Sequence, residues 1–94
     1  MSKVLKHESL CRELNKIYES KNSDYGDSFA KVRKELGNTA ILVRVYDKVE
    51  RLKTLLTGAE RKVADEKVED TLMDLANYCL MELIERECDK EWLI

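Results

Sequence analysis

The spacing of the apolar residues in the second half of the chain constrains the fold most. Five of them recur at intervals of three and four: Leu42, Val45, Val49, Leu52 and Leu56. A second set has the same spacing: Val68, Leu72, Leu75, Cys79 and Leu83. This period places side chains along one face of an α-helix. We therefore expect two long helices whose apolar stripes form the core, the first ending at Gly58.

The first half of the chain predicts two further helices. Residues near 3–21 alternate apolar and charged positions at helical spacing, and 22–28 concentrate turn-forming residues, with Asp27 or Ser28 suited to cap a short helix from Ser28 to Leu36. Gly37 ends that helix, and Asn38 or Thr39 can cap the next one. A charged linker at 59–67 precedes the last helix, for which Asp65 is a candidate cap.

Length and composition limit how these helices assemble. The 94 residues include no proline and three glycines, which leaves room for one domain spanning 1–94. We expect an all-α fold, a small antiparallel four-helix bundle-like domain completed by oligomerisation. The apolar residues Trp92, Leu93 and Ile94 favour a contact between subunits, with packing inside the chain as the alternative.

Charge and residue usage exclude several classes of function. A net charge of −2 argues against binding to duplex nucleic acid, and the longest apolar run, Ala40 to Val43, is too short to span a membrane. Since no signal peptide precedes it, we expect a cytoplasmic protein. Three cysteines without metal-site spacing predict free, mostly packed thiols. A single histidine, His7, argues against Ser-His and Cys-His catalysis.

Two acidic pairs could carry metal chemistry. Asp47 and Glu50 are three residues apart, and Asp70 and Asp74 are four apart, so each pair lies along one face of its helix. If the pairs converge, four carboxylates could bind Mg²⁺ and the phosphates of a nucleotide. At about 100° per residue, however, these faces point away from the leucine stripes. The alternative is a solvated surface of ion pairs.

The segment between the first two helices offers a second half of a site. Lys21 could contact a phosphate, Tyr25 could stack on a base, and the amides of 26–28 at a helix start favour anions. The alternative interpretation is a capped turn with a packed tyrosine. Together with the acidic pairs, this segment indicates a ligand that carries phosphate.

Three strings of the sequence resemble a known family. They are Lys21-Asn22-Ser23-Asp24-Tyr25-Gly26-Asp27-Ser28-Phe29, Tyr46-Asp47-Lys48-Val49-Glu50-Arg51-Leu52 and Glu69-Asp70-Thr71-Leu72-Met73-Asp74-Leu75-Ala76-Asn77-Tyr78. The chain resembles the nucleotide modification associated domain 1 family over roughly Lys21 to Leu83. That family is common in phages, all-helical, and linked by analogy to MazG-like nucleoside triphosphate pyrophosphohydrolases.

The resemblance implies a nucleotide ligand and a set of binding positions. These positions are Lys21, Asn22, Asp24, Tyr25, Lys48, Arg51, Asn77 and Tyr78. MazG-like enzymes show ExxE and ExxD on adjacent helices, whereas this chain has DxxE at Asp47 and Glu50 and DxxxD at Asp70 and Asp74. The change in spacing rotates a carboxylate by about 100° around the helix, which places the metal geometry in question.

Three functions compete at this point. The favoured hypothesis is a phage-type nucleotide-binding protein that sequesters its ligand, such as a cyclic signalling nucleotide of bacterial immunity, as a counter-defence in the host cytoplasm. The first alternative is a Mg²⁺-dependent pyrophosphohydrolase in which Asp47, Glu50, Asp70 and Asp74 hold the metal. The second is a helical interaction module without a ligand. The first two predict a homo-oligomer that binds a small nucleotide.

Overall fold

The chain folds into four helices in the computed structural model, which describes residues 2–58 and 67–91. The helices are α1 (Lys3–Tyr25), α2 (Ser28–Leu36), α3 (Thr39–Leu56) and α4 (Val68–Glu91). No strand occurs in the described ranges, so the all-α prediction is confirmed. Most of the predicted linker, the candidate cap Asp65 and the apolar residues Trp92, Leu93 and Ile94 lie outside those ranges. Among the described helices, none is both long and apolar enough to cross a bilayer.

Helix α1 is longer than the sequence pattern predicts. Ser2 caps its start by accepting a hydrogen bond from the amide of Leu5 at 3.2 Å. Its end is Gly26, which has the left-handed φ of 60° and donates its amide to the carbonyl of Asn22 at 3.0 Å. Because this glycine satisfies a terminal carbonyl, residues 22–25 stay helical despite their turn-forming composition. The expected loop at 22–28 is therefore a sharp turn at Gly26 and Asp27.

The short helix α2 has the predicted bounds, but its caps differ from expectation. Asp27 occupies the N-cap position with φ of 58°, and its side chain makes no capping hydrogen bond. Gly37 ends the helix, and its amide donates to the carbonyl of Arg33 at 2.7 Å. Asn38 precedes α3 without a side-chain capping bond. The turns thus depend on left-handed backbone positions at 26, 27 and 37.

Helices α1 and α3 both pack on α4, whereas α2 packs mainly on α3. Helix α4 lies antiparallel to α3, since Arg44 sits beside Tyr78 while Lys48, one turn later, pairs with Asp74. It is also antiparallel to α1, because the carbonyl of Leu14 accepts a hydrogen bond from the Asn77 side chain at 3.1 Å while Lys21 reaches Asp74. The helices therefore converge on one stretch of α4, from Asp74 to Tyr78.

The predicted core stripes are wrong. Leu42, Leu56, Leu72 and Leu83 are exposed, and the buried apolar residues of the described part are instead Phe29, Ala40 and Leu55. On α4 the buried residues are polar: Thr71, Asn77 and Glu82. The face predicted to point away from the core therefore points into it. Apolar periodicity could not show this, because the polar side chains on this face are satisfied by partners on other helices.

A charged contact fastens α2 to α4. The guanidinium of Arg33 donates to both carboxylate oxygens of Glu82, at 2.9 and 3.1 Å, and to Asp89 at 3.1 Å. Arg86 adds a hydrogen bond of 2.7 Å to Glu82. Because the side chains of Arg33 and Glu82 are only 15% and 9% exposed, this bidentate pair is largely shielded from water. It fixes the last turn of α2 beside the second half of α4.

Candidate functional site

A cavity of about 180 Å³ opens where the end of α1 meets the start of α2 and the middle of α4. We call it the α1–α4 pocket. It is lined by Tyr18, Lys21, Asn22 and Tyr25 of α1, Asp27, Ser28 and Phe29 at the start of α2, Arg44 of α3, and Asp74, Asn77, Tyr78 and Met81 of α4. The turn at Gly26 and Asp27 joins α1 to α2 beside this cavity.

Aromatic side chains are concentrated in the α1–α4 pocket. Four of the five aromatic residues within 2–58 and 67–91 line it: Tyr18, Tyr25, Phe29 and Tyr78. The rings of Phe29 and Tyr78 are 5.9 Å apart between centroids and tilted by 57°, a geometry that aromatic pairs favour. Phe29 is buried, whereas Tyr25 is largely exposed at the mouth. The pocket therefore presents flat apolar surfaces at its base and at its entrance.

Cations surround the same rings. The guanidinium carbon of Arg44 lies 5.7 Å from the centroid of the Tyr78 ring, and the ammonium of Lys48 lies 5.9 Å from it. Both distances fall within the range of cation–π attraction. A third cation, Lys21, approaches from α1. The arrangement places three positive charges beside an aromatic surface.

A single carboxylate lies between two of these cations. Lys21 donates to one oxygen of Asp74 at 3.0 Å, and Lys48 donates to the other at 3.3 Å. Burial raises the pKa of Asp74, but the two ammonium groups outweigh it and hold that pKa below its ordinary value. The Asp74 carboxylate is therefore ionised at neutral pH and is the anion that Lys21 and Lys48 share.

The hydroxyl of Tyr18 also responds to the pocket. Burial raises the pKa of Tyr18, and the nearby carboxylates of Asp27 and Glu85 raise it further. The phenol therefore stays protonated at neutral pH and keeps a proton that it can donate. Tyr18 adds a hydrogen-bond donor to the aromatic surface of the pocket.

Several of the predicted ligand-binding residues meet in this pocket. Lys21, Asn22, Tyr25, Asn77 and Tyr78 line it, and Lys48 contacts both Asp74 and the Tyr78 ring at its edge. Asp24 and Arg51 do not line it. Asn77 is buried and anchored through its Nδ2 to α1, so it also sets the distance between α1 and α4.

The four predicted metal ligands do not come together. Asp74 lines the pocket, whereas Asp47, Glu50 and Asp70 do not, and Glu50 pairs with Lys53 at 3.1 Å. Within residues 2–58 and 67–91, no three His, Cys, Asp or Glu side chains are grouped so that they could hold a metal ion. One carboxylate held by two ammonium groups does not fit a magnesium site, and we derive no step through that metal.

Sequence reasoning missed part of the pocket. Tyr18, Phe29, Arg44 and Met81 are not among the residues that the sequence selects for ligand binding. Three of them lie at helical spacing from a selected residue on the same helix: Tyr18 from Lys21 and Asn22, Arg44 from Lys48, and Met81 from Asn77 and Tyr78. That spacing was a usable signal. Phe29 had no such signal, because only the fold brings its ring to Tyr78.

The expectation that the cysteines are packed is corrected. Cys11, Cys79 and Cys88 are free but exposed rather than packed. A Cys-His pair exists within one helix, since the sulfur of Cys11 is 3.7 Å from Nδ1 of His7, four residues earlier on α1. Neither residue lines the α1–α4 pocket, so this pair lies outside the site described above.

The fold and the pocket define a class: a small all-helical domain with an aromatic cavity bordered by cations. The sequence matches the model of the family Nucleotide modification associated domain 1 over residues 21–85. The chain belongs to that family. The matched range contains every described residue that lines the pocket except Tyr18. No curated protein and no solved structure matches the chain significantly.

Proposed function

We propose that this protein binds a nucleotide in the α1–α4 pocket and holds it without cleaving it. The observation that carries the proposal is the convergence of four aromatic rings and two cations, Lys21 and Arg44, on one cavity, with Lys48 beside the ring of Tyr78. Stacking of a base on an aromatic ring contributes roughly 1–3 kcal/mol, and lysine and arginine side chains bind phosphate oxygens. A nucleotide carries a base that can stack on an aromatic ring and, a few ångströms away, phosphate oxygens that lysine and arginine can bind.

The base would occupy the aromatic part of the pocket. Its volume of about 180 Å³ is below the roughly 300–1,000 Å³ of cavities that enclose a drug-sized ligand. It therefore takes one base, and the sugar and phosphates extend towards the mouth. A cyclic dinucleotide would place one of its two bases in the pocket. The exposed ring of Tyr25 is suited to cover the base from outside.

The phosphates would lie against Lys21 and Lys48. The two ammonium groups share the single negative charge of Asp74, so one positive charge is left in excess. A phosphate competes with that carboxylate for the same two donors, and Arg44 beside Tyr78 supplies a further positive charge. Affinity for phosphate should therefore fall as the salt concentration rises, because the side chain of Lys21 is about half exposed.

The pocket favours binding over hydrolysis. The groups around the proposed phosphate position are two lysines, an arginine and one ion-paired carboxylate. A hydrolase needs a general base to activate water. Among the described residues that line the pocket, the carboxylates of Asp74 and Asp27 are candidates, and no histidine is present. Asp74 is a weak base because its pKa is lowered. These features support a protein that sequesters its ligand.

The experiment is a binding panel followed by analysis of the bound molecule. Purified protein is titrated calorimetrically with linear mono- and triphosphates and with cyclic mono- and dinucleotides, with and without Mg²⁺. Each mixture is then denatured and chromatographed. We expect at least one nucleotide to bind at a defined stoichiometry and to be recovered unchanged. Recovery of a cleaved product formed only with Mg²⁺ would instead establish the pyrophosphohydrolase.

Matched variants locate the site in the same assay. Lys48→Met removes the ammonium group between Asp74 and Tyr78, whereas Lys53→Met removes one from the exposed side of the same helix. We expect the first to weaken binding at least tenfold and the second to leave it unchanged. Equal effects of both variants would show only a general loss of charge. No binding across the panel would favour the interaction module and refute the proposal.

A further inference from the structure

Helix α3 leaves a regular apolar seam uncovered. Leu42, Val49 and Leu56 are seven residues apart and 66%, 40% and 67% exposed. Val45 and Leu52, three residues after the first two, are only half-buried. This alternation of three and four residues is the heptad pattern of helices that pack against another helix. A seam of this kind on one domain lacks its partner helix.

Helix α4 extends the same apolar surface. Leu72 and Leu83 are 49% and 57% exposed, and Cys79 between them is exposed. The rotation along each helix from their mutual contact to these residues is similar, and because α3 and α4 are antiparallel it runs in opposite senses on the two helices when both are viewed from one end. Leu42, Val49, Leu56, Leu72, Cys79 and Leu83 therefore share one side of the pair, which we call the α3–α4 face. Arg44 and Asp74 lie on the other side, towards the pocket.

We infer that a second copy of this chain covers the α3–α4 face, with each α3 packed on the α4 of the other copy. Charge selects this arrangement. Helix α3 carries four basic and two acidic residues, whereas α4 carries eight acidic and two basic residues. A two-fold axis parallel to the helices sets α3 against the partner's α4, which is opposite in charge. A two-fold axis across the helices would set α4 against α4 and oppose like charges.

The axis also fixes which residues meet. Rotation about an axis parallel to the helices leaves every residue at its own height. Within one copy, Arg44 is level with Tyr78 and Lys48 with Asp74. Lys53 lies five residues after Lys48, and Glu69 lies five residues before Asp74, so Lys53 and Glu69 are also level in the antiparallel pair. In the dimer, Lys53, whose side chain is 67% exposed, therefore faces Glu69 of the partner subunit at the edge of the α3–α4 face.

This interface does not depend on the proposed function. It lies on the opposite side of the α3–α4 pair from the nucleotide pocket, so loss of the dimer and loss of nucleotide binding are measured separately. It also gives a specific surface to the oligomer that the sequence predicts. The assembled unit would be a four-helix bundle of two α3–α4 pairs, with α1 and both pockets on its outer sides.

The test is sedimentation equilibrium of the full chain over a range of micromolar concentrations. We expect the wild type to be a dimer and Val49→Glu to be a monomer, because the substitution places a charge in the middle of the seam. The control is Leu36→Glu, which alters an exposed apolar residue on α2, outside the α3–α4 face. It should remain a dimer. Circular dichroism checks that all three keep their helices.

A charge exchange keeps the proposal testable if Val49→Glu does not fold. Lys53→Glu and Glu69→Lys should each raise the dimer dissociation constant by up to about 30-fold, since the two-fold axis forms this exposed ion pair twice and each pair is worth up to roughly 1 kcal/mol. The double variant should restore wild-type association. A monomeric wild type, a dimeric and folded Val49→Glu, or a double variant weaker than both single ones would overturn the inference.

Discussion

Replacing Glu82 with glutamine removes the charge from the contact that holds α2 on α4 while keeping the shape of the side chain. Glu82 accepts two hydrogen bonds from Arg33, at 2.9 and 3.1 Å, and one from Arg86 at 2.7 Å. In the Glu82→Gln variant, Arg33 keeps its exposed partner Asp89 but loses the shielded one. Removing one partner of a largely buried ion pair costs about 3 kcal/mol.

That loss is large for a domain of this size. A 94-residue chain has a free energy of unfolding of roughly 5–14 kcal/mol. A decrease of about 3 kcal/mol corresponds to a fall in Tm of about 12–24 °C. The assay is thermal and urea unfolding followed by circular dichroism, at one fixed protein concentration. The control is Glu87→Gln on the exposed side of α4, which should change the free energy by less than about 0.5 kcal/mol.

The dependence on pH tests the cause of this loss. The hydrogen bonds from Arg33 lower the pKa of Glu82, and they outweigh the effect of burial, which raises it. A group whose pKa is lowered by folding stabilises the protein fully above its unfolded pKa, here 4.5, and loses that contribution as the pH falls through the folded pKa. The difference between wild type and Glu82→Gln should therefore be constant near pH 7 and shrink in acid. Equal stability of the two proteins at pH 7 would refute the reasoning.

Three further substitutions have expected outcomes. Asp74→Asn removes the anion that Lys21 and Lys48 share, so calorimetry should show nucleotide affinity rising about fivefold; a fall in affinity would show that the carboxylate contacts the ligand favourably. Phe29→Ala empties a buried site against Tyr78 and should lower the free energy of unfolding by about 3–5 kcal/mol in urea. Gly26 has the left-handed φ of 60°, so Gly26→Ala should lower the free energy of unfolding by about 1 kcal/mol. Gly26→Asn should recover part of this loss. Equal stability of wild type and Gly26→Ala would show that this turn carries no strain.

The helices were predictable from the sequence because their periodicity and glycine ends are local signals. The bounds of α2 and the start of α3 follow from Gly37 and the residues around it. The end of α1 was placed too early, since residues 22–25 have turn-forming composition and only the left-handed Gly26 shows that the helix continues to them. The composition of 22–25 predicts a loop, but the left-handed conformation of Gly26 ends the helix only after Tyr25.

The direction of the helix faces could not be predicted in the same way. Asn77 and Glu82 are polar, so apolar periodicity assigns them to solvent, yet the carbonyl of Leu14 and the guanidinium of Arg33 satisfy them inside the fold. These partners are 63 and 49 residues distant in sequence. The pocket was predicted in part, because the family resemblance indicated Lys21 and Tyr78, while Phe29 joined it only through folding.

The most direct test of nucleotide binding is a ¹H–¹⁵N NMR titration of the uniformly labelled wild type with the nucleotide that binds best in the panel. The account predicts saturable shifts of the backbone amides of Asn22, Tyr25 and Tyr78 and of the side-chain amide of Asn77, because these groups line the α1–α4 pocket. Amides of α1 before Leu14 should not move. Saturable shifts confined to other surfaces, or a spectrum unchanged by every nucleotide of the panel, would contradict the account.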